Sequence, residues 1–86
     1  MNLSAAFEVT EDDIATVLSQ NADLVVNKGS KLFSEMAEQL HDNWLGGVLD
    51  RIALAALDGG TDLDDQTTAA HAEIRTILVE EGVLKH

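Results

Sequence analysis

Residues 46–60 read GGVLDRIALAALDGG, an apolar segment of helical length with a glycine pair at each end. Glycine commonly ends a helix, because it adopts positive φ without a Cβ clash. The apolar side chains recur at the spacing of one helical face, which is formed by Val48, Leu49, Ile52, Ala53, Ala56 and Leu57. Leu54 and Ala55 widen that face, so we expect this helix to be central in the fold.

The segment before residue 29 carries the clearest helix start. Thr10 is a predicted N-cap, and the acidic run 11–13 fills the first turn, where the helix dipole favours negative charge. The apolar pattern allows this helix to end at Asn21 or to continue to Asn27, because β-branched residues near 25 weaken the helical signal.

Two further helices follow from the same reasoning. Ser30 or Ser34 is the predicted N-cap of the second helix, whose stripe is Leu32 or Phe33, Met36, Ala37, Leu40 and Trp44. Thr61 or Asp62 is the predicted N-cap of the last helix, whose stripe is Leu63, Thr67, Ala70, Ile74, Ile77 and Leu78. Gly82 is placed to end that helix in a Schellman motif, with Val83 against Leu78.

These segments predict an all-α fold, a compact bundle of about four short antiparallel helices joined by short loops. We expect one acidic domain over residues 1–86, in which residues 1–9 can form an extended N-terminal arm. The chain has no cysteine, so it offers no disulfide, thiolate metal site or cysteine nucleophile.

The net charge of the chain disfavours some classes of binding partner. Sixteen Asp and Glu residues oppose five Lys and Arg residues, which gives a formal charge of −11. Direct binding of nucleic acid is not expected, because affinity for phosphates comes from clustered basic residues. Binding to an anionic membrane is disfavoured for the same reason. With no apolar run as long as a membrane span and no signal-peptide pattern, we expect a cytoplasmic protein.

The apolar residues are small for a stable monomer of this length. They make up 45% of the chain but include only three aromatic residues, Phe7, Phe33 and Trp44. A small core favours association, so we expect a homo-oligomer, a protein partner, or both. Trp44 has two interpretations: it closes one end of the core, or it anchors an interface, where tryptophan is enriched.

Several motifs approach known chemistry without completing it. Residues 62–73 place Asp62, Asp64 and Glu73 as in a calcium loop, but Thr67 stands where the turn needs glycine. Glu38 and His41 have the spacing used in di-metal bundles, although the second such pair is missing. No arrangement supplies nucleophile, base and orienting group together, so we expect a non-enzymatic protein without cofactor or metal.

The chain resembles acyl carrier proteins in length, acidity and number of helices. That resemblance would make Ser30 the site of a prosthetic group at the start of the second helix. The family motif is Asp-Ser-Leu, whereas this chain has Gly29-Ser30-Lys31. A carrier or a calcium-binding protein is therefore the alternative function.

Acidic residues cluster at two predicted helix starts, as Glu11, Asp12 and Asp13 and as Asp62, Asp64 and Asp65. They can serve solubility, attract a basic partner protein, or imitate a nucleic-acid backbone. With segments such as 8–14 and 82–84, the chain resembles small accessory proteins of bacterial plasmids, integrated elements and phages, including anti-CRISPR and antirestriction proteins. The resemblance implies an inhibitor that occupies the basic nucleic-acid-binding surface of a host protein. The expected partner-binding residues are these six acids with Trp44.

Overall fold

The computed structural model describes residues 7–86 and shows the predicted all-α fold. Its four α-helices are α1 (Glu11–Gln20), α2 (Phe33–Asn43), α3 (Gly47–Asp58) and α4 (Leu63–Glu80). A short 3₁₀ helix, Ala22–Leu24, follows α1. Of the predicted N-terminal arm, residues 1–6 lie outside the described residues. Val9 packs into the core with 8% of its surface exposed.

Hydrogen bonds confirm the predicted start of α1 and the predicted end of α4. At the start of α1, the Thr10 N–H donates to the Asp13 carboxylate at 2.9 Å, one half of a capping box. At the end of α4, the Val83 N–H donates to the Leu78 carbonyl at 2.9 Å, and the Gly82 N–H donates to the Val79 carbonyl at 3.1 Å. Gly82 has φ +79°, so these bonds form the expected Schellman motif.

The start predicted for α2 is wrong. Neither Ser30 nor Ser34 caps the helix; its N-cap is Leu32, whose N–H donates to the Glu35 carboxylate at 2.8 Å. The chain before α2 pairs with the C-terminal segment, where the Val26 N–H donates to the Val83 carbonyl at 2.9 Å. This pairing with the C-terminal segment also explains why α1 does not continue to residue 27.

Helix α1 pairs with α2, and α3 pairs with α4. Both pairs are antiparallel, because His41 near the end of α2 meets Val9 before α1, and Arg51 near the start of α3 meets Glu80 at the end of α4. The pairs join through α1 and α4. Along this junction His71 meets Asp13 and Arg75 meets Asn21, so the contacts advance in the same chain direction on both helices. The centre of the core lies here and contains the fully buried side chains of Ile14, Leu18, Ile74 and Leu78.

The predicted central position of α3 is wrong. This helix packs mainly on α4 through the buried residues Ile52 and Ala56, while Leu54 is 64% exposed. Leu63, predicted to continue the core stripe of α4, is 67% exposed. The apolar pattern of α3 alone could not predict its edge position. In an elongated molecule of 45 × 21 × 19 Å, a helix can lie at an edge and pack mainly against one other helix.

Candidate interaction surface

The start of α1 borders an acidic groove. The groove has a volume of about 350 Å³, and its charged and titratable lining residues are Glu8, Glu11, Asp12 and His41. The side chains of Glu11 and Asp12 are exposed and make no hydrogen bond within residues 7–86. Both lie in the first turn of α1, where the helix dipole stabilises negative charge. The groove therefore presents carboxylates to solvent with no lysine or arginine among its described lining residues.

Asp13, the third acid of this cluster, has an internal role. One carboxylate oxygen accepts from the Thr10 N–H, and the other lies 3.0 Å from His71 Nε2 on α4. The side chain of Asp13 is 18% exposed and that of His71 is 19% exposed. Asp13 thus fixes the start of α1 against α4 and is not available to a partner as Glu11 and Asp12 are.

The second acidic cluster lies at the start of α4. Asp62 is the N-cap and accepts from the Asp65 N–H at 2.8 Å, so it too has a structural role. Asp64 and Asp65 are exposed in the first turn. Asp64 precedes His71 by seven residues, which places it on the same side of α4, about 10 Å toward the helix start.

The His71–Asp13 contact fixes the start of α1 beside the middle of α4, about two turns from the start of α4. We call the exposed acids of both helix starts, Glu11, Asp12, Asp64 and Asp65, the acidic surface. Its members are distant in sequence, and the contact that relates them joins α1 to the middle of α4. The sequence supplied both clusters, but nothing in the spacing of Asp13 and His71 indicated that they meet.

The two arginines of the chain take part in contacts outside the acidic surface. Arg51 on α3 binds Glu73 and also donates to Glu80 at 3.0 Å. Hydrogen bonds to Glu80 and Glu73 raise the pKa of Arg51, and the bond from Arg51 lowers the pKa of Glu80. Arg75 donates to the side chain of Asn21 at 3.2 Å. These arginines stabilise helix contacts, and the four acids of the acidic surface form no ion pair within residues 7–86.

Trp44 does not belong to the acidic surface. The residue is 2% exposed, and its Nε1 lies 3.1 and 3.2 Å from the two carboxylate oxygens of Glu81, to which it donates. This position matches the interpretation of Trp44 as a residue that closes the core. The interface-anchor interpretation requires an exposed ring, so we leave Trp44 out of the partner-binding residues. The Glu81 contact was not visible in the sequence, because it joins the end of α2 to the end of α4.

The near-motifs for metal and prosthetic groups are not assembled. Residues 63–73 are helical, so Asp62 and Glu73 are separated by about 16 Å along the axis and cannot enclose one calcium ion. Residues 7–86 contain no group of three or more histidines and carboxylates that could hold a metal ion. Ser30 lies in a turn, three residues before α2 begins, rather than at the helix start.

Comparisons of the chain with protein-family models, with curated proteins and with solved structures gave no match. Between residues 7 and 86, no helix combines the length and apolar character that crossing a bilayer requires.

Proposed function

We propose that this chain is a non-enzymatic interaction protein whose acidic surface binds a basic surface of a partner protein. The observation that carries the proposal is the exposure of Glu11, Asp12, Asp64 and Asp65 at the starts of α1 and α4, two helices that the His71–Asp13 contact holds side by side. Charges arranged in this way attract a basic partner and orient its approach.

The scaffold supports this use because the helix starts are fixed. Asp13 and Asp62 hold the backbone of the two first turns, while their neighbours remain exposed. A partner therefore meets carboxylates whose backbone positions are already set, which reduces the entropy lost on binding. Because the carboxylates of Asp13 and Asp62 make these internal bonds, we do not count the two residues among the proposed partner-binding residues.

The finer form of the proposal is inhibition. A protein surface that binds nucleic acid carries clustered lysine and arginine, and fixed carboxylates can occupy it in place of phosphates. The partner's nucleic acid is then excluded by competition, without any bond being made or broken. This mechanism is the one implied by the resemblance to anti-CRISPR and antirestriction proteins.

The test is capture of a partner from a nuclease-treated extract of the native host, with the chain immobilised. The variant Asp12→Asn with Asp64→Asn removes one carboxylate from each helix start. We expect it to capture the partner at least about tenfold less well, because each lost charge contact contributes on the order of 1 kcal/mol. Raised salt and added duplex DNA should both release the partner from the wild-type chain.

The matched control is Asp23→Asn with Asp42→Asn, which makes the same change of net charge at exposed positions outside the acidic surface. It should retain capture. Equal loss in both double variants would mean that net charge alone matters, and unchanged capture in both would remove the proposal. Failure of DNA to compete would remove the inhibitor form while leaving the acidic surface as a protein-binding site.

A further inference from the structure

The outward face of α3 is apolar and lacks a neighbour among the described helices. Leu54 is 64% exposed and Leu57 is 38% exposed. They are three residues apart, so they lie side by side on the helix surface. The opposite side of α3 packs on α4 through Ile52 and Ala56. Exposed leucines in such a pair mark a place where another apolar surface can be buried.

Acidic residues frame this pair. Asp50 precedes Leu54 by one turn and Asp58 follows it by one turn, and both are exposed. Arg51, the basic residue of α3, is engaged by Glu73 and Glu80. The face therefore combines an apolar centre with negative charge at both ends, and the nearby positive charge is already paired.

The charge pattern decides between two occupants. In a symmetric dimer through α3, Leu54 of one copy would meet Leu54 of the other. A parallel arrangement would then place Asp50 against Asp50, and an antiparallel one would place Asp50 against Asp58. Either arrangement opposes like charges, in molecules that each carry a charge of −11. A second copy is thus disfavoured, whereas a helix with basic residues on each side of its apolar residues is complementary.

We infer that the Asp50–Leu54–Leu57–Asp58 face of α3 binds a basic amphipathic helix of a protein partner. The leucines would be buried against the apolar stripe of that helix, and the aspartates would meet lysine or arginine one turn to either side. The inference rests on the proposed function, because both require a basic partner, and it adds a second, partly apolar contact on a different helix.

The test uses a synthetic alanine-based helical peptide of about 18 residues, long enough to form a helix in water. It carries two leucines at helical spacing with lysines one turn to either side. Its affinity for the folded chain is measured by fluorescence anisotropy, and the contacted residues are mapped by amide chemical shifts. We expect shifts centred on α3. Leu54→Ser should weaken binding at least about tenfold, the loss expected when a buried leucine contact is removed.

Matched variants separate the possible causes of a change. Leu32→Ser alters a leucine of nearly equal exposure, 63%, at the N-cap of α2, and should leave the affinity unchanged. Asp50→Asn with Asp58→Asn should weaken binding about threefold to tenfold. Asp12→Asn with Asp64→Asn makes the same change in net charge and should have a smaller effect, so this test can fail while the acidic surface retains its own partner.

Circular dichroism checks that each variant is folded. The inference is overturned if the peptide does not bind, if Leu54→Ser binds as wild type does, or if the two double aspartate variants lose affinity equally. It is also overturned if sedimentation shows a wild-type dimer that Leu54→Ser converts to a monomer, because the face would then be covered by a second copy.

Discussion

Helices α3 and α4 carry similar apolar stripes but differ in their burial. Helix α4 packs against both α1 and α3, and four of its side chains, Ala70, Ile74, Ile77 and Leu78, are buried. Helix α3 packs mainly against α4 and buries only Ile52 and Ala56. The difference shows that the number of neighbouring helices, and not the strength of the apolar pattern, sets how much of a stripe enters the core.

The same difference separates the side chains that stabilise the fold from those proposed to bind a partner. Side chains of α4 that meet two helices stabilise the fold, whereas Leu54 and Leu57 on the outer side of α3 are exposed. Polar contacts follow this division, since Asp13–His71 and Arg75–Asn21 both tie α4 to α1. Each prediction below tests whether the inner helix and the edge helix respond differently to a change.

The largest expected effect is at Ile74. Its side chain is fully buried on α4, so Ile74→Ala should lower the free energy of unfolding by about 2–5 kcal/mol through lost burial and a residual cavity. Leu54→Ala removes a side chain of equal size from the exposed face of α3 and should change the value by less than about 0.5 kcal/mol. Urea unfolding followed by circular dichroism measures both. Similar losses would refute the assignment of α3 to the edge.

A smaller loss is expected at Trp44, which links the α2–α3 junction to the end of α4. Trp44→Phe removes the donor to Glu81 and leaves part of the indole volume empty, so the free energy of unfolding should fall by about 1–3 kcal/mol. The control, Glu81→Gln, keeps a side-chain acceptor for the indole and should cost less. A wild-type unfolding midpoint in Trp44→Phe would show that the ring is not a core component.

The start of α1 provides a third test on the inner side of the molecule. Asp13→Asn weakens the capping interaction with Thr10 and the contact with His71, so stability should fall by about 1 kcal/mol. Asp12→Asn removes a neighbouring acid with no hydrogen bond inside residues 7–86 and should have a smaller effect on stability. Thermal unfolding of both variants checks the distinction. A larger loss for Asp12→Asn would contradict the division between scaffold and acidic surface.

The helices were predictable because their signals are local. Thr10, Asp62 and Gly82 act on residues within one turn, and the apolar spacing of each segment is visible without knowledge of the rest. The arrangement was not predictable in the same way. The exposure of Leu54 depends on where α1 and α2 lie, and the path of the chain before α2 depends on the pairing of Val26 with Val83. The two acidic clusters could be found in the sequence, but the side-by-side position of their helices depends on the long-range contact of Asp13 with His71.

The smallest effect is expected at the exposed ion pair between Arg51 on α3 and Glu80 on α4. The bond from Arg51 lowers the pKa of Glu80, so folding favours the ionised carboxylate. Glu80 therefore stabilises the fold at pH values above the ordinary carboxyl pKa, and this contribution is lost as the pH falls through the lowered pKa. Because both side chains are exposed, water and salt screen the interaction, and the effect should diminish at high ionic strength.

The variant Glu80→Gln isolates this contribution, since all other titrating groups are common to both proteins. Wild type should unfold at a slightly higher urea concentration than Glu80→Gln at neutral pH, and the two midpoints should converge in acid. Glu73 remains bound to Arg51 in the variant, so the α3–α4 pair stays folded and the comparison is valid. A difference that is the same at neutral and acid pH would mean that the glutamate contributes through packing. The edge helix would then be held without help from this ion pair.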